Sequence, residues 1–199
     1  MKTYIDYAEI SQAARRKITS AAVIPRPIAW ITTVNENGSI NVAPFSFFTM
    51  ISPSILMVSF VQIKDRRKDT FENILRSKQA VVNIGDISLI EAIDNSSITI
   101  PYNESELAYI DVNLGPAKQV MAPLILEAPI AFEVEFLSHE ELDDNGSKYD
   151  LTLLRILASH INSDLYDSEK HYVRLENPLS RLEGPKYGSS TELEYIRKF

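Results

Sequence analysis

The stretch from Arg26 to Phe48 constrains the fold more than any other. It reads RPIAWITTV, the break NENG, and then SINVAPFSFF. Two runs rich in β-branched and aromatic residues flank Asn35-Glu36-Asn37-Gly38. Asn and Gly tolerate positive φ, so the break reads as a hairpin turn. In the first arm Ile28, Trp30 and Thr32 alternate with Ala29, Ile31 and Thr33, giving a strand with two usable faces. The second arm carries Pro44 where a ladder donor should stand. A proline inside a strand belongs on an edge or at a bulge, so the sheet is expected to open there. Backbone amides freed by that opening, beside Thr32, Thr33, Asn41 and Ser46, are candidates to meet a ligand. The same pattern also fits a plain barrel-core hairpin with an edge kink.

The rest of the chain points the same way. Ile55–Val61 is a nearly continuous apolar run and reads as a buried central strand, and Ala80–Ile84 as another. From Ala128 to Leu137, Phe132, Val134 and Phe136 alternate with Glu133 and Glu135. The turn Asp143-Asp144-Asn145-Gly146-Ser147 then returns Tyr149–Ile161 antiparallel to it. Helices are few: a weak pattern over Tyr4–Arg16, with Thr19–Ile24 extended after it; a short helix with Asp69 as N-cap, Glu72 three residues on and Phe71, Ile74 and Leu75 as its apolar stripe; a second at Leu89–Ile93 capped by Ser88; and a turn within Asn103–Tyr109. Many strands, hairpin links and short helices predict a mainly β fold, an antiparallel barrel with helices at its rim. Nothing resembles a parallel dinucleotide-binding sheet, and neither GxGxxG nor GxxxxGK[ST] occurs.

Composition narrows the function. The 199 residues, 45% hydrophobic and without a linker-like stretch, are expected to form a single domain, 1–199. A net charge of −7 argues against nucleic acid or an anionic membrane as partner. The absence of cysteine removes disulfides, thiolate metal sites and Cys nucleophiles, and fits a cytoplasmic protein. No secretory signal and no apolar run of about 20 residues appear, so a soluble protein is expected.

Candidate chemistry is concentrated in two places. Lys64, Arg66, Arg67 and Lys68 stand just ahead of a helix start, with Thr70 adding a hydroxyl. Unpaired N–H groups and the macrodipole favour an anion there, which suggests a phosphate; a solvated charged loop is the alternative. The other place is the kinked hairpin arm around Asn41 and Ser46. Trp30, Phe45, Phe47 and Phe48 read as core. His139, His160 and His171 lack metal-ligand spacing and are expected to be structural, no GxSxG elbow occurs, and Glu140–Asp144 reads as a solvated acidic stretch. With so little side-chain machinery, an enzyme of this kind would take its reactivity from a cofactor.

IPRPIAWITTVNENGSINVAPFSFF, followed by KDT-F-x-N-I and VVNI, resembles the flavin reductase-like family of FMN-binding split barrels, to which flavoredoxin belongs. The likeness runs from Ile24 to about Asn95, with a weaker echo at RLEGPKY near the C-terminus. It implies a split β-barrel homodimer with one FMN per subunit near the dimer interface. Thr32 and Thr33 would lie close to the flavin; Asn41, Ala43, Pro44, Phe45 and Ser46 would hug its ring; Ser59 would line the groove. Lys68, Asp69 and Thr70, helped by Arg67, would meet the phosphate, and Asn83 matches the VVN strand. Arg181 and Tyr187 would act from the C-terminal element, where Glu183 replaces the first glycine of the family's Arg-x-Gly-Gly-x-x-Tyr. The implied chemistry is hydride transfer from NAD(P)H to flavin N5, with no catalytic side chain required. The alternatives are an FMN-bound electron-transfer protein served by a redox partner, and a cofactor-free interaction module. The central expectation is that the bent sheet edge and the cationic helix entrance grip one FMN.

Overall fold

The computed structural model describes residues 1–64 and 66–189, so Asp65 of the basic loop lies outside the described residues. Seven strands form one antiparallel sheet: β1 Ala29–Val34, β2 Ile40–Phe45, β3 Phe48–Ser52, β4 Ile55–Val61, β5 Gln79–Ile84, β6 Ile130–Asp144 and β7 Ser147–Ile161. Their order across the sheet is β2-β1-β5-β6-β7-β4-β3. The hairpin turns as its residues predict, with Gly38 at φ +86° and the Asn35 N–H donating to Ser39 O at 2.8 Å. At the far hairpin Asn145 and Gly146 both take positive φ, 52° and 88°, as a two-residue β-turn of this hand requires.

The two outer strands of the sheet, β2 and β3, are consecutive in sequence yet do not pair with each other. The chain crosses between them at Ser46-Phe47, where Phe47 O accepts the Ser59 N–H at 2.9 Å. This seam is the split in the barrel, and Pro44 sits beside it on the edge strand, paired opposite Trp30. Along β2 the N–H groups two residues apart point the same way. The Val42 N–H points off the sheet and donates to Glu106 at 2.8 Å, so the position of the missing Pro44 donor points outward too. One outward amide is therefore taken by a carboxylate and the next does not exist. The expected free amides at the kink are absent at both positions, and the edge is protected from pairing with another chain.

Both faces of the sheet are covered. Ala29, Ile31, Val58, Phe60, Val82 and Val134 pack with Phe71 and Ile74 of α2 (Asp69–Ser77), while Ile28, Trp30 and Val42 pack with Ile93 of α3 (Ile90–Asn95). β4 is second from the edge rather than central, and its alternate residues Leu56, Val58 and Phe60 are the buried ones.

The helix starts differ from expectation in three places. α1 spans Gln12–Ala22, not Tyr4–Arg16, because Ser11 caps it by accepting the Ala14 N–H at 3.3 Å. It continues through the segment expected to be extended and stops ahead of Pro25, whose ring disfavours helix at the residue before it. Lys68, not Asp69, is the N-cap of α2, because the Asp69 carboxylate turns to Arg66 at 2.8 Å and leaves this helix start without a side-chain cap. At the third start Asp86 caps, accepting from the Ser88 N–H at 2.9 Å, and opens a single turn that runs into α3.

Candidate active site

The sheet edge and the entrance of α2 meet in one cleft of about 500 Å³. Ala43, Pro44 and Phe45 form one wall, Lys68, Asp69 and Thr70 another, and Asn41 lies at the base. Residues 23 or more positions apart in sequence therefore converge on one cleft. Ser96–Ile100 closes the remaining side.

Beneath the cleft lies a buried polar network. The Asn41 amide donates to Thr70 Oγ1 at 2.8 Å and to Thr33 Oγ1 at 3.1 Å. Thr33 also accepts from Asn73 at 3.0 Å, and Asn73 Oδ1 accepts from Arg76 at 3.1 Å. Arginine only donates, so this contact fixes which end of Asn73 faces Thr33. Because Thr70 Oγ1 accepts from Asn41, its own proton is left to donate into the cleft.

The cations divide by what they already hold. Arg67 faces Asp150, whose side chain is fully buried, at 3.3 Å, Glu141 at 3.3 Å and Glu72 at 3.9 Å, and lies over the Phe71 ring. Its charge is committed to the fold. Lys68 and Lys64 have no ion pair among the described residues, and both line the cleft. Burial lowers the Lys68 pKa; Asp69 counters this, and Arg66 and Arg16 add to it. Glu106 also lines the cleft and is buried. Burial raises its pKa, the Val42 N–H and its own N–H pull it down, and Asp69 raises it further.

Other expected site residues lie elsewhere. Thr32 donates to Pro123 O at 2.6 Å, away from the cleft, as alternation along a strand demands once Thr33 faces it. Asn83 is buried and bonds Trp30 O at 3.0 Å and the Ile125 N–H at 3.1 Å, binding the sheet to the short strand Leu124–Ile125. Ser46 and Ser59 sit at the seam but do not line the cleft. Arg181 stacks on Tyr187 at 4.4 Å and bonds Gly184 O, and Tyr187 donates to Asp94 at 2.7 Å. Burial, and then the Asp94 bond, push the Tyr187 hydroxyl up to about 12. Glu183 pairs with Lys186 at 2.6 Å. This C-terminal group borders a separate hollow beside α3. Sequence reasoning missed Glu106 and the Ser96–Ile100 wall, since neither carries a local motif.

The histidines are tied into the fold: His160 bonds Glu133, His171 bonds Tyr166, and His139 packs on Phe71. Among the described residues no cluster of His, Asp or Glu is arranged to hold a metal, and no helix is long and apolar enough to cross a membrane.

Residues 21–176 match the family described as flavin reductase like domain. Protein YwrF of Bacillus subtilis is 35% identical over 190 residues, covering 92% of this chain and 93% of its own. The crystal structure of nitrilotriacetate monooxygenase component B from Bacillus cereus superposes with a TM-score of 0.92 at 28% identity, covering 98% of this chain and 99% of that one. The 2-nitrobenzoate 2-nitroreductase NbaA of Pseudomonas fluorescens gives 0.88 at 28% identity, covering 98% and 95%. With its sheet split beside Pro44 and its cleft at the α2 entrance, the chain belongs to the flavin reductase-like family of split-barrel proteins.

Proposed function

We propose that this protein is an FMN-dependent oxidoreductase, a NAD(P)H:flavin reductase working as a cytoplasmic homodimer. The observation that carries the reading is the convergence of Ala43–Phe45 and Lys68–Thr70 on one cleft. Its residues fit FMN: an uncapped helix start with Lys68 and Lys64 for the phosphate, and an apolar, amide-poor edge at Pro44 and Phe45 for the ring. Lys68 and the first N–H groups of α2 bind the phosphate, and Thr70, oriented by Asn41, donates to it. Pro44 and Phe45 hold the ring against the sheet edge and exclude water from it. Bound there, flavin supplies hydride acceptance and release, so the chain needs only to bind and orient. Names among the relatives, a monooxygenase component and a nitroreductase, support redox work of this class. Homodimerisation is supported by β3, an edge strand paired on one side only, whose Met50 and Ile51 are 64% and 53% exposed.

The test is to load purified protein with FMN, record its absorption spectrum and follow NADH and NADPH oxidation with free flavin as acceptor. Yellow protein that turns over either nicotinamide is the expected result. Yellow protein inert to both would instead be an electron-transfer protein served by a redox partner. Colourless protein whose melting temperature does not move with FMN would be an interaction module, because a ligand selective for the native state must stabilise it.

A further inference from the structure

A second cavity of about 530 Å³ lies beneath α1, and it shares no lining residue with the flavin cleft. Its walls combine two chemistries. Arg15, Arg16 and Arg26 supply three guanidinium groups against a single carboxylate, Asp144, in a chain whose overall balance is −7. Tyr7, Phe47, Tyr149 and Val23 supply apolar and aromatic surface.

Hydrogen bonds hold the walls in place. Gln12 Nε2 donates to Asp144 O at 2.8 Å, and Ser147 donates to Gln12 Oε1 at 2.6 Å, which fastens α1 to the tip of the β6–β7 hairpin. The Tyr7 and Thr19 hydroxyls meet at 2.9 Å. Arg26 donates to Ser20 O, to Val23 O at 3.1 Å and to Leu182 O at 3.1 Å, while its buried Nε has no acceptor. Burial, then Arg181 and Arg16, lower its pKa, as expected where cations crowd together without counter-ions. The Arg16 side chain is exposed and makes neither ion pair nor hydrogen bond among the described residues. Like charges gathered at a pocket without partners cost stability unless an anion joins them.

We propose that this pocket is a second small-molecule site, and that it binds an aromatic carboxylate. A planar guanidinium matches a carboxylate two bonds at a time, and ring walls favour a flat apolar body behind it. The volume falls in the range of small-molecule sites and suits a ligand of one or two rings. The site does not depend on the flavin reading. It lies close to the cleft all the same, since Arg16 is near enough to Lys68 to act on its charge.

The probe is benzoate, titrated calorimetrically into the full-length protein with and without saturating FMN. Benzamide keeps the ring without the charge, and acetate keeps the charge without the ring. Benzoate should bind with one site per chain, and each comparator about tenfold more weakly or worse. Arg16→Gln should weaken benzoate by about tenfold, Phe47→Leu should weaken it by about threefold, and FMN affinity should change by less than about threefold in Arg16→Gln. Arg16 is exposed and unpaired, so circular dichroism should show the variant folded. No binding of benzoate at millimolar concentration overturns the proposal. So does equal binding of benzamide or acetate, an Arg16→Gln variant that binds benzoate as well as the parent, or displacement of benzoate by FMN, which would place it in the cleft. Failure of FMN binding with benzoate binding intact would count against the flavin reading alone.

Discussion

Glu133 and Glu106 are both buried, and their surroundings treat them in opposite ways. Glu133, on β6, is enclosed by the strap 118–120. Its oxygens accept the N–H groups of Lys118 at 2.9 Å, Gln119 at 2.5 Å and Val120 at 3.1 Å, and meet His160 Nε2 at 2.5 Å. Burial alone would raise its pKa, but the His160 bond and the strap amides outweigh that and hold it below its ordinary value. Glu106, at the sheet edge, takes the Val42 N–H, and burial wins, holding it above its ordinary value. A carboxylate bonded on every side fastens the fold. One left short of donors, facing a cavity, belongs to a site.

The largest effect should come from breaking the closed network. Glu133→Ala leaves three backbone donors and His160 without their acceptor, and should cost about 3–5 kcal/mol in urea unfolding. Its pH signature has a definite sign. A carboxyl whose folded pKa is depressed stabilises above its unfolded value, and that stability is lost as pH falls through the folded value. Acid titration of the parent should therefore show a fall in stability that Glu133→Gln flattens. An unchanged unfolding midpoint in Glu133→Ala would mean that the strap holds without its carboxylate, and the contrast with Glu106 would lose one of its terms.

On the open side, Lys68→Ala should weaken FMN by about thirtyfold, the loss of one charge-assisted bond of about 2 kcal/mol. Riboflavin lacks the phosphate and should bind the variant as it binds the parent. Equal losses for both flavins in equilibrium titration would remove Lys68 from the phosphate site.

The sequence disclosed what is local and hid what is long-range. Alternation marked β1 and β6, turns marked the returning strands β2 and β7, and Pro44 marked the seam, because strand faces, turns and a missing donor are written in adjacent residues. The same alternation carried a warning about Thr32 and Thr33, since neighbours on a strand face opposite ways and Thr33 alone backs the cleft. Arg67 looked like its basic neighbours, but Asp150, which commits its charge, lies on β7 far along the chain. Glu106 was invisible for the same reason: its significance comes from Val42, 64 residues earlier. Helix starts were misjudged by one or two residues at α2, where Asp69 had a better partner in Arg66, and at the turn into α3, where Asp86 caps, and by more at α1, which starts at Gln12 rather than Tyr4.

A smaller effect tests the under-partnered glutamate. A carboxyl with a raised folded pKa favours the native state at low pH, and that contribution is lost as pH rises from the unfolded toward the folded value. Glu106→Gln keeps an oxygen for Val42 and removes the charge. It should abolish this loss and tighten FMN by about threefold at neutral pH, since one negative group fewer faces the phosphate. A weaker FMN complex would mean that the charge itself organises the edge.

The smallest effect separates the cations at the helix entrance. Arg66 and Lys68 both line the cleft, but the Arg66 side chain is 54% exposed and shared with Asp69 at 2.8 Å. An exposed, already paired charge contributes about 0–1 kcal/mol. Arg66→Ala should therefore weaken FMN by about threefold or less, with most of the change removed by salt, whereas the loss in Lys68→Ala should persist at high ionic strength. If Arg66→Ala instead matched Lys68→Ala in size and salt response, the phosphate would be seated on the outer loop, and the half-buried lysine at the helix start would be a bystander.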